Sequence, residues 1–313
     1  MKSNSTMSIK KIYHAVVPEK LQEAIDYKRR KHWYTLSRII EKYYRSHPFP
    51  KGAKESLSFL RKNHFNLDKY KLLYLSNIVE GYLKEYKNIA ILIDKKMDLP
   101  YVLHDGKPLY FPRGSNDNTI RETYAQFLSE MDIESPHLYC KNPEELQNRV
   151  LFDCGVAEGL FPLTYIDYFN KIVLFECEPA WIEPLSATFA PYKEKVIIVN
   201  SYVSDSTTDH SVSLDYYAEA NHIWPTFIKM DIEGFEERAL AGASKILDKS
   251  SDLICAICTY HKPNSESDIV NYMQKKGFSP SYNKGFMFFF YEKKITPPYL
   301  RHGVVRFYKK NEV

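Results

Sequence analysis

The chain has 313 residues, 44% of them hydrophobic, which is enough for one large domain with a substantial extension. Its formal net charge of +4 is too mild to indicate a nucleic-acid partner, and no run of about 18 apolar residues predicts a membrane span. Residues 1–6 lack the apolar segment of a signal peptide behind them. The five cysteines are odd in number and lie mostly in apolar runs, which fits a reducing cytosol, so we expect a cytoplasmic protein.

Residues 1–100 predict a helical N-terminal extension. Helical spacing of apolar residues predicts helices over 20–44, from residue 56 and over 68–86, and a short apolar run at 89–93 could form a strand. A connecting segment, 101–148, follows, and we expect it to cover the acceptor side of a site. It contains an edge strand ending at Pro112, which cannot donate to a ladder, and a helix over 120–131.

From residue 149 onward, strands and helices alternate. This pattern is typical of an α/β fold, a mostly parallel sheet with helices on both faces. The predicted strands are 149–153, 171–176, 195–199, 226–230 and 253–258, and the predicted helices are 160–168, 180–189, 213–219, 235–248 and 265–276. Two last strands, 287–291 and 303–308, are expected to end the sheet as a hairpin.

Ligands of open α/β sheets bind outside the carboxyl ends of the strands. Polar residues or glycines follow each predicted strand at that edge. In chain order they are Asp153, Gly155 and Gly159; Glu176 and Glu178; Ser204 and Asp205; Asp231 and Glu233; and Tyr260 and His261. The sequence therefore predicts one continuous polar rim.

The turn after the first strand differs from the G-x-G-x-x-G turn of dinucleotide-binding folds. Ala157 replaces the glycine that lets a pyrophosphate approach, and the carboxylate of Glu158 would repel a phosphate. Glu176, about 20 residues further on, occupies the position that holds ribose hydroxyls. Together these features favour a cationic, phosphate-free nucleoside such as S-adenosylmethionine (SAM).

Three segments carry a resemblance to the FkbM family of SAM-dependent methyltransferases. They are Asp153-Cys154-Gly155-Val156-Ala157-Glu158-Gly159, Phe175-Glu176-Cys177-Glu178-Pro179 and Phe227-Ile228-Lys229-Met230-Asp231-Ile232-Glu233-Gly234-Phe235-Glu236. The third is similar to the family signature I-K-x-D-x-E-G-x-E. The resemblance covers 149–308 and implies a class I SAM methyltransferase (Rossmann-like) fold, with a seven-stranded sheet and an antiparallel final strand. It also implies a SAM-binding methyltransferase domain over 149–313, and usually O-methylation in polysaccharide, glycolipid or secondary-metabolite pathways.

The chain departs from the family pattern at two places. Val156 stands where the family usually has alanine, and Glu178-Pro179 follows Glu176 where the family often reads Phe-Glu-Pro directly. Either acid could therefore hold the ribose, and we favour Glu176 because it lies closer to the strand end. For the rest of SAM, the resemblance implies that Asp153, Gly155 and Gly159 line the methionine half, and that Val203, Ser204 and Asp205 lie near the adenine.

Methyl transfer from a sulfonium needs alignment and removal of the acceptor's proton. Asp231, Glu233 and His261 are the candidate catalytic residues. The same three could bind a divalent metal that activates the hydroxyl. Alternatively, Asp231 contacts the SAM amino group and His261 alone acts as the base. Glu236 and Glu237 are expected to be solvated helix acids.

These observations predict a SAM-dependent O-methyltransferase that acts on a hydroxyl of a carbohydrate (polysaccharide, glycolipid or activated sugar) or a related small molecule. A nicotinamide-dependent Rossmann oxidoreductase and a non-catalytic interaction module that retains the fold are the alternatives. The expected partner is a small-molecule or glycan substrate. The sequence leaves a homo-oligomer open.

Overall fold

The structure is a computed structural model that describes residues 35–48, 50–63, 74–289, 292 and 295–309. Parts of three predicted elements, 20–34, 68–73 and 290–291, lie outside these residues. None of the helices within the described ranges combines the length and apolar character needed to cross a bilayer.

The part of the chain before residue 149 contains helices and a small antiparallel sheet. The described elements are α1 (residues 35–46), α2 (Ala53–Asn63), α3 (Ile78–Glu85), β1 (Leu92–Asp94), β2 (Leu99–His104), β3 (Lys107–Tyr110) and α4 (Asp117–Glu130), with 3₁₀ turns at Tyr86–Asn88 and Pro143–Leu146. The sheet order is β1-β2-β3. Sequence reasoning missed β2, because Pro100 weakens the strand signal of its run. β2 also runs across residue 100, where we expected the extension to end.

The remaining elements alternate as predicted. They are β4 (Val150–Cys154), α5 (Leu160–Thr164), β5 (Lys171–Glu176), α6 (Pro179–Phe189), a 3₁₀ turn (Ala190–Tyr192), β6 (Val196–Asn200), β7 (Tyr202–Val203), β8 (Ser211–Val212), α7 (Leu214–Asn221), β9 (Phe227–Met230), α8 (Glu236–Ala241), α9 (Ser244–Lys249), β10 (Ile254–Cys258), α10 (Ser265–Lys275), β11 (Phe278–Tyr282) and β12 (Val304–Lys309). The predicted helix 235–248 is thus two helices, which separate at Gly242.

Seven strands form the main sheet in the order β11-β12-β10-β9-β4-β5-β6. The pairs among β10, β9, β4, β5 and β6 are parallel, and β12 runs antiparallel to both β10 and β11. This arrangement confirms the predicted class I methyltransferase fold with its antiparallel final strand. The strand order reverses at β4, which has β5 on one side and β9 on the other. Such a switch point is where open α/β sheets bind ligands.

The prediction of a strand at 287–291 was wrong for its described residues, 287–289. The first strand of the final hairpin is β11, whose sequence Phe-Ser-Pro-Ser-Tyr has a weak apolar pattern, while Met287 forms only an isolated bridge with Arg301. The apolar residues Phe286 and Phe288 instead pack against the helices α1 and α2. Their hydrophobicity reflects burial under the N-terminal part of the chain and not membership of the sheet.

The core has a layer on each face of the sheet. Leu151 and Phe152 are adjacent on β4, yet Leu151 packs in one apolar cluster and Phe152 in the other, as the alternation of a strand requires. Both are fully buried. This two-sided packing fixes the register of β4, and it therefore fixes the turn that follows.

Candidate active site

Two adjoining cavities lie at the carboxyl edge of the sheet, around the switch point. The larger has a volume of about 840 Å³ and the smaller about 50 Å³. They share five lining residues, Phe127, Glu130, Gly155, Ala157 and Asp231. The larger volume lies within the 300–1,000 Å³ range of small-molecule sites.

Asp153, at the end of β4, is fully buried and forms an ion pair with Lys229 of β9. The ammonium Nζ donates to Asp153 Oδ1 at 2.8 Å and to the carbonyl of Gly155 at 2.8 Å. Burial lowers the pKa of Lys229, but the carboxylates of Asp153 and Asp231 outweigh that effect and raise it. Lys229 therefore stays charged, and the protein groups Asp153 and Gly155 balance and bind its ammonium. Asp153 also lines the smaller cavity.

The two glycines of the turn have different roles in the structure. Gly155 has φ +78°, and a Cβ there would lie 1.8 Å from the carbonyl oxygen of Asp231. Gly159 is the N-cap of α5, and a Cβ there would meet Phe189 and Leu185 within 3 Å. Gly155 lines both cavities, whereas Gly159 lines neither and allows α5 to pack against α6.

We expect Gly155→Ala to lower the free energy of unfolding by about 3 kcal/mol or more, because the new methyl group meets backbone that cannot move aside. Gly106→Ala is the matched control. Gly106 has φ +76° but nothing within 4 Å of a Cβ, so only the backbone strain of about 1–2 kcal/mol is expected there. Urea unfolding of both variants measures the difference, and equal losses would contradict the close approach.

Glu176 ends β5 with its side chain held by the backbone. Its Oε2 accepts from the N–H of Ala157 at 2.8 Å, and its Oε1 accepts from the N–H of Glu178 at 2.7 Å. The residue is 6% exposed and lines the larger cavity. Glu178 also lines that cavity, but it is exposed and caps α6 through the N–H of Ala180. The geometry favours Glu176 over Glu178 as the fixed acceptor.

Val203 and Ser204 are buried and line the larger cavity, whereas Asp205 does not. Asp205 is exposed and pairs with Arg238, with an N–O distance of 2.9 Å. The backbone of Ser204 lies so close to Gly242 that a Cβ on the glycine would be 2.1 Å from the Ser204 oxygen. This close approach requires a glycine at residue 242, which lies between α8 and α9.

Asp231 follows β9 and lies among several donors. The hydroxyl of Tyr139 donates to Oδ2 at 2.9 Å, and the hydroxyl of Tyr260 donates to Oδ1 at 3.4 Å. Burial raises the pKa of Asp231, but the neighbouring His137, Lys229 and His261 and the Tyr139 hydroxyl together lower it. Asp231 is therefore an ionised carboxylate that faces both cavities.

His261 lies between the carboxylates of Asp231 and Glu236. Its Nε2 is 3.4 Å from Asp231 Oδ1, and its Nδ1 is 2.9 Å from Glu236 Oε1. Burial lowers the pKa of His261, but Glu236 and Asp231 raise it above its ordinary value. Glu233, which we predicted to be catalytic, has a 90% exposed side chain whose Oε2 is 3.7 Å from His261 Nε2.

The expectation that Glu236 is a solvated helix acid was wrong. Glu236 is 1% exposed, and its Oε1 accepts from the N–H groups of Ile232 and Gly234. Glu233 and Gly234 both have positive φ, +54° and +91°, so the backbone curls and brings these N–H groups to the carboxylate. The neighbouring Glu237 is exposed, as expected.

The spacing of three side chains is compatible with a metal site. The ligand atoms of Asp231, Glu236 and His261 lie within 4.8 Å of one another. Both carboxylates, however, already accept from protein donors, Asp231 from tyrosine hydroxyls and Glu236 from backbone N–H groups. Both carboxylates are thus held by protein donors without an ion, and Glu233, the third ligand of the predicted metal set, has a 90% exposed side chain. The structure thus gives no support to the metal alternative.

The connecting segment supplies residues that sequence reasoning missed. Glu130, the last residue of α4, lines both cavities and lies 3.6 Å from His137. Its pKa is raised by burial and by the nearby acids Asp231 and Glu158. An acid in the last turn opposes the helix dipole, and this unfavourable placement was a signal that could have identified it. Tyr139 and His137 gave no such signal.

Glu158 is 6% exposed and lines the smaller cavity. Burial raises the pKa of Glu158 to about 8. A carboxyl group of the unfolded chain titrates near pH ~4.3. Between the two pKa values, Glu158 holds a proton in the folded chain but has released it in the unfolded chain. The free energy of unfolding is therefore highest below pH ~4 and decreases as the pH rises to about 8.

Glu158→Gln removes this titration and keeps an acceptor for the N–H of Leu160. We expect the variant to be about 4–5 kcal/mol more stable than the wild type at pH ~8, with little difference at pH ~4. Chemical unfolding across this pH range measures the effect. The exposed Glu194→Gln variant should keep the wild-type pH dependence, and a Glu158→Gln curve parallel to the wild type would contradict the assignment.

Residues 201–280 match the family model described as the methyltransferase FkbM domain. The chain is similar to the crystal structure of methyltransferase FkbM from Methylobacillus flagellatus KT, with 16% identity and a TM-score of 0.40, over 75% of this chain and 59% of that chain. Precorrin-6y C5,15-methyltransferase from Geobacter metallireducens GS-15 matches with 11% identity and a TM-score of 0.37, over 54% and 86%. Magnesium protoporphyrin IX methyltransferase from Synechocystis PCC 6803, with bound SAM, matches with 12% identity and a TM-score of 0.34, over 53% and 72%. The search of curated proteins found no match.

Proposed function

We propose that this chain, whose resemblance to the FkbM methyltransferases is confirmed over residues 201–280, transfers a methyl group from SAM to a hydroxyl of a carbohydrate or related small molecule. The charge of the larger cavity carries the proposal. Besides Glu130, whose pKa is raised by burial, its described lining includes four acids, Glu176, Glu178, Asp231 and Glu233. Among the lysine and arginine residues it includes only Arg238, which is paired with Asp205. A cationic ligand without phosphates fits this lining, and a dinucleotide does not.

Each part of SAM has a matching group in the cavity. Glu176 has lone pairs left to accept both ribose hydroxyls, since each of its oxygens accepts one backbone N–H. Val203 and Ser204 offer a partly apolar wall for the adenine. Gly155 admits the methionine half beside Asp231, because a side chain at residue 155 would meet the Asp231 backbone.

Bound SAM would supply an electrophilic methyl group on a positively charged sulfur. The chain must then orient the acceptor hydroxyl and take its proton. We assign the proton to the Asp231–His261 pair: Asp231 faces the cavity and accepts the hydroxyl hydrogen, and His261 shares the proton. Glu236 Oε1 lies 2.9 Å from His261 Nδ1, so we assign Glu236 as a positioning residue.

Calorimetry with SAM and with NADH separates the proposal from a nicotinamide-dependent oxidoreductase. We expect heat on titration with SAM and none with NADH. A chain that binds neither would favour the third possibility, an interaction module that keeps the fold. A SAM-dependent gain in mass, measured by mass spectrometry, then reports activity on activated sugars and glycans.

Glu236→Gln should move the acid limb of the pH–rate profile to lower pH. The negative charge of Glu236 raises the pKa of His261, and the imidazole must be unprotonated to accept a proton. Removing the charge lowers that pKa, and we expect kcat to fall about 10-fold because the ring is less well oriented. The exposed Glu237→Gln variant is the control. A Glu236→Gln enzyme with an unchanged pH profile would show that Glu236 is merely structural.

A carbohydrate acceptor is supported by the aromatic side chains of the larger cavity, which include Phe127, Trp181 and Tyr260. We further propose that the residues before 149 cover the acceptor side, because Glu130 and Tyr139 reach the site from there.

A cytoplasmic location is consistent with the five cysteines, which are all free.

A further inference from the structure

A further cavity, of about 400 Å³, lies outside the two adjoining cavities of the candidate active site, and we call it the second cavity. It lies at the same edge of the sheet, on the side of β12. Its walls come from the end of α1, the start of α10 and the residues that precede β12. His302 lines it, and Val304, two residues later, pairs with Cys258 at the carboxyl end of β10. The cavity therefore lies beside the candidate active site and is separate from it.

Aromatic rings form much of the lining. The ring of His302 is centred 4.5 Å from that of Tyr282 and 4.5 Å from that of Phe286. On the α1 side, Tyr43 and His47 stack with their centroids 3.9 Å apart. The negative faces of aromatic rings attract polarised C–H groups, such as those on the face of a sugar ring.

The polar groups of this cavity favour a neutral ligand with hydroxyl groups. None of the described residues that line it is a lysine or arginine, so a phosphate or carboxylate finds no fixed cation there. The lining acid Glu266 is 2.9 Å from His302 Nδ1. Asn264 and Asn271 add amide donors and acceptors, which suit hydroxyl groups.

A short loop connects the two sites. Tyr260 lines the larger cavity of the active site, and Pro263 and Asn264 line the second cavity. Three residues span at most ~11 Å. In addition, Arg301, the neighbour of His302, donates to the carbonyl of Tyr260 at 3.0 Å. One ligand of several rings could therefore occupy both sites.

We propose that the second cavity binds a neutral sugar ring of the acceptor, while another ring of the same acceptor presents its hydroxyl to Asp231. This inference rests on the proposed function, because it assumes that the active site takes a carbohydrate. It predicts that the chain recognises an oligosaccharide by a unit that is not methylated.

The test uses the full chain, fluorescently labelled, on a printed array of neutral mono-, di- and trisaccharides. We expect binding to at least one oligosaccharide, and a loss of about tenfold in affinity in Tyr282→Ala and in Asn271→Ala. Both side chains are exposed, so neither change should disturb the fold. Tyr216→Ala changes a more exposed tyrosine that lines neither this cavity nor the larger cavity of the active site, and it should bind like the wild type.

Calorimetry with SAM on the same variants keeps the two proposals apart. Glycan binding that depends on Tyr282 and Asn271, without any SAM binding, would support the second cavity and contradict the methyltransferase proposal. SAM binding without binding of any neutral sugar would overturn the second cavity. The same conclusion follows if the sugars bind but Tyr282→Ala and Asn271→Ala bind them as tightly as the wild type does.

Discussion

Asp231→Asn is expected to reduce kcat by about 10²–10³-fold, with a smaller effect on the stability of the fold. The amide is almost the same size and keeps one acceptor oxygen, but it removes the negative charge that faces both cavities. It also places an NH₂ group near the hydroxyls of Tyr139 and Tyr260, which donate to the carboxylate in the wild type. The acceptor hydroxyl then lacks a group to take its hydrogen.

Steady-state assays with a methyl acceptor at saturating SAM measure the loss in kcat, and calorimetry with SAM shows whether binding is also affected. If Asp231 mainly contacts the SAM amino group, the affinity for SAM falls and kcat at saturating SAM stays near the wild-type value. If Asp231 serves the acceptor, kcat falls and SAM affinity changes little. Full activity in Asp231→Asn would contradict both roles. Glu237→Gln, an exposed acid of the same segment, is the matched control.

Much of the main sheet could be predicted from the sequence, because buried parallel strands have continuous apolar runs. The strand 171–176 was predicted with its observed bounds, since Lys171 and Glu176 frame four apolar residues. The need for a partner for Lys229 could also be predicted, because a charged residue in an apolar strand must be compensated. That this partner is Asp153 depends on the register of β4 and β9, in which the two residues are paired.

The rest of the site depends on packing that no local pattern reports. Glu236 looked like a solvated acid of a helix start, and only the curled backbone at Glu233 and Gly234 explains its burial. Glu130 and Tyr139 lie far from Asp231 in sequence and reach it through the folding of the connecting segment. Their contribution follows from tertiary contacts that an apolar periodicity does not specify.

Glu176→Gln is expected to weaken SAM binding by roughly 10–100-fold, which corresponds to losing hydrogen bonds of a charged acceptor worth ~1.5–3 kcal/mol. The wild-type carboxylate accepts the N–H groups of Ala157 and Glu178 on separate oxygens. A glutamine has one oxygen, so its NH₂ group must face one of these donors. The variant therefore loses both the ribose contact and the hydrogen bond that fixes the side chain.

Calorimetry with SAM on two further variants locates the effect. Glu183→Gln changes an exposed acid of α6 that pairs with Arg113, and we expect it to bind SAM like the wild type. Glu178→Gln tests the other acid that could hold the ribose. Because Glu178 is exposed and caps α6, its loss should weaken SAM binding less than the loss of Glu176. The reverse order would assign the ribose to Glu178, and the buried carboxylate of Glu176 would then serve mainly to fix the turn at Ala157.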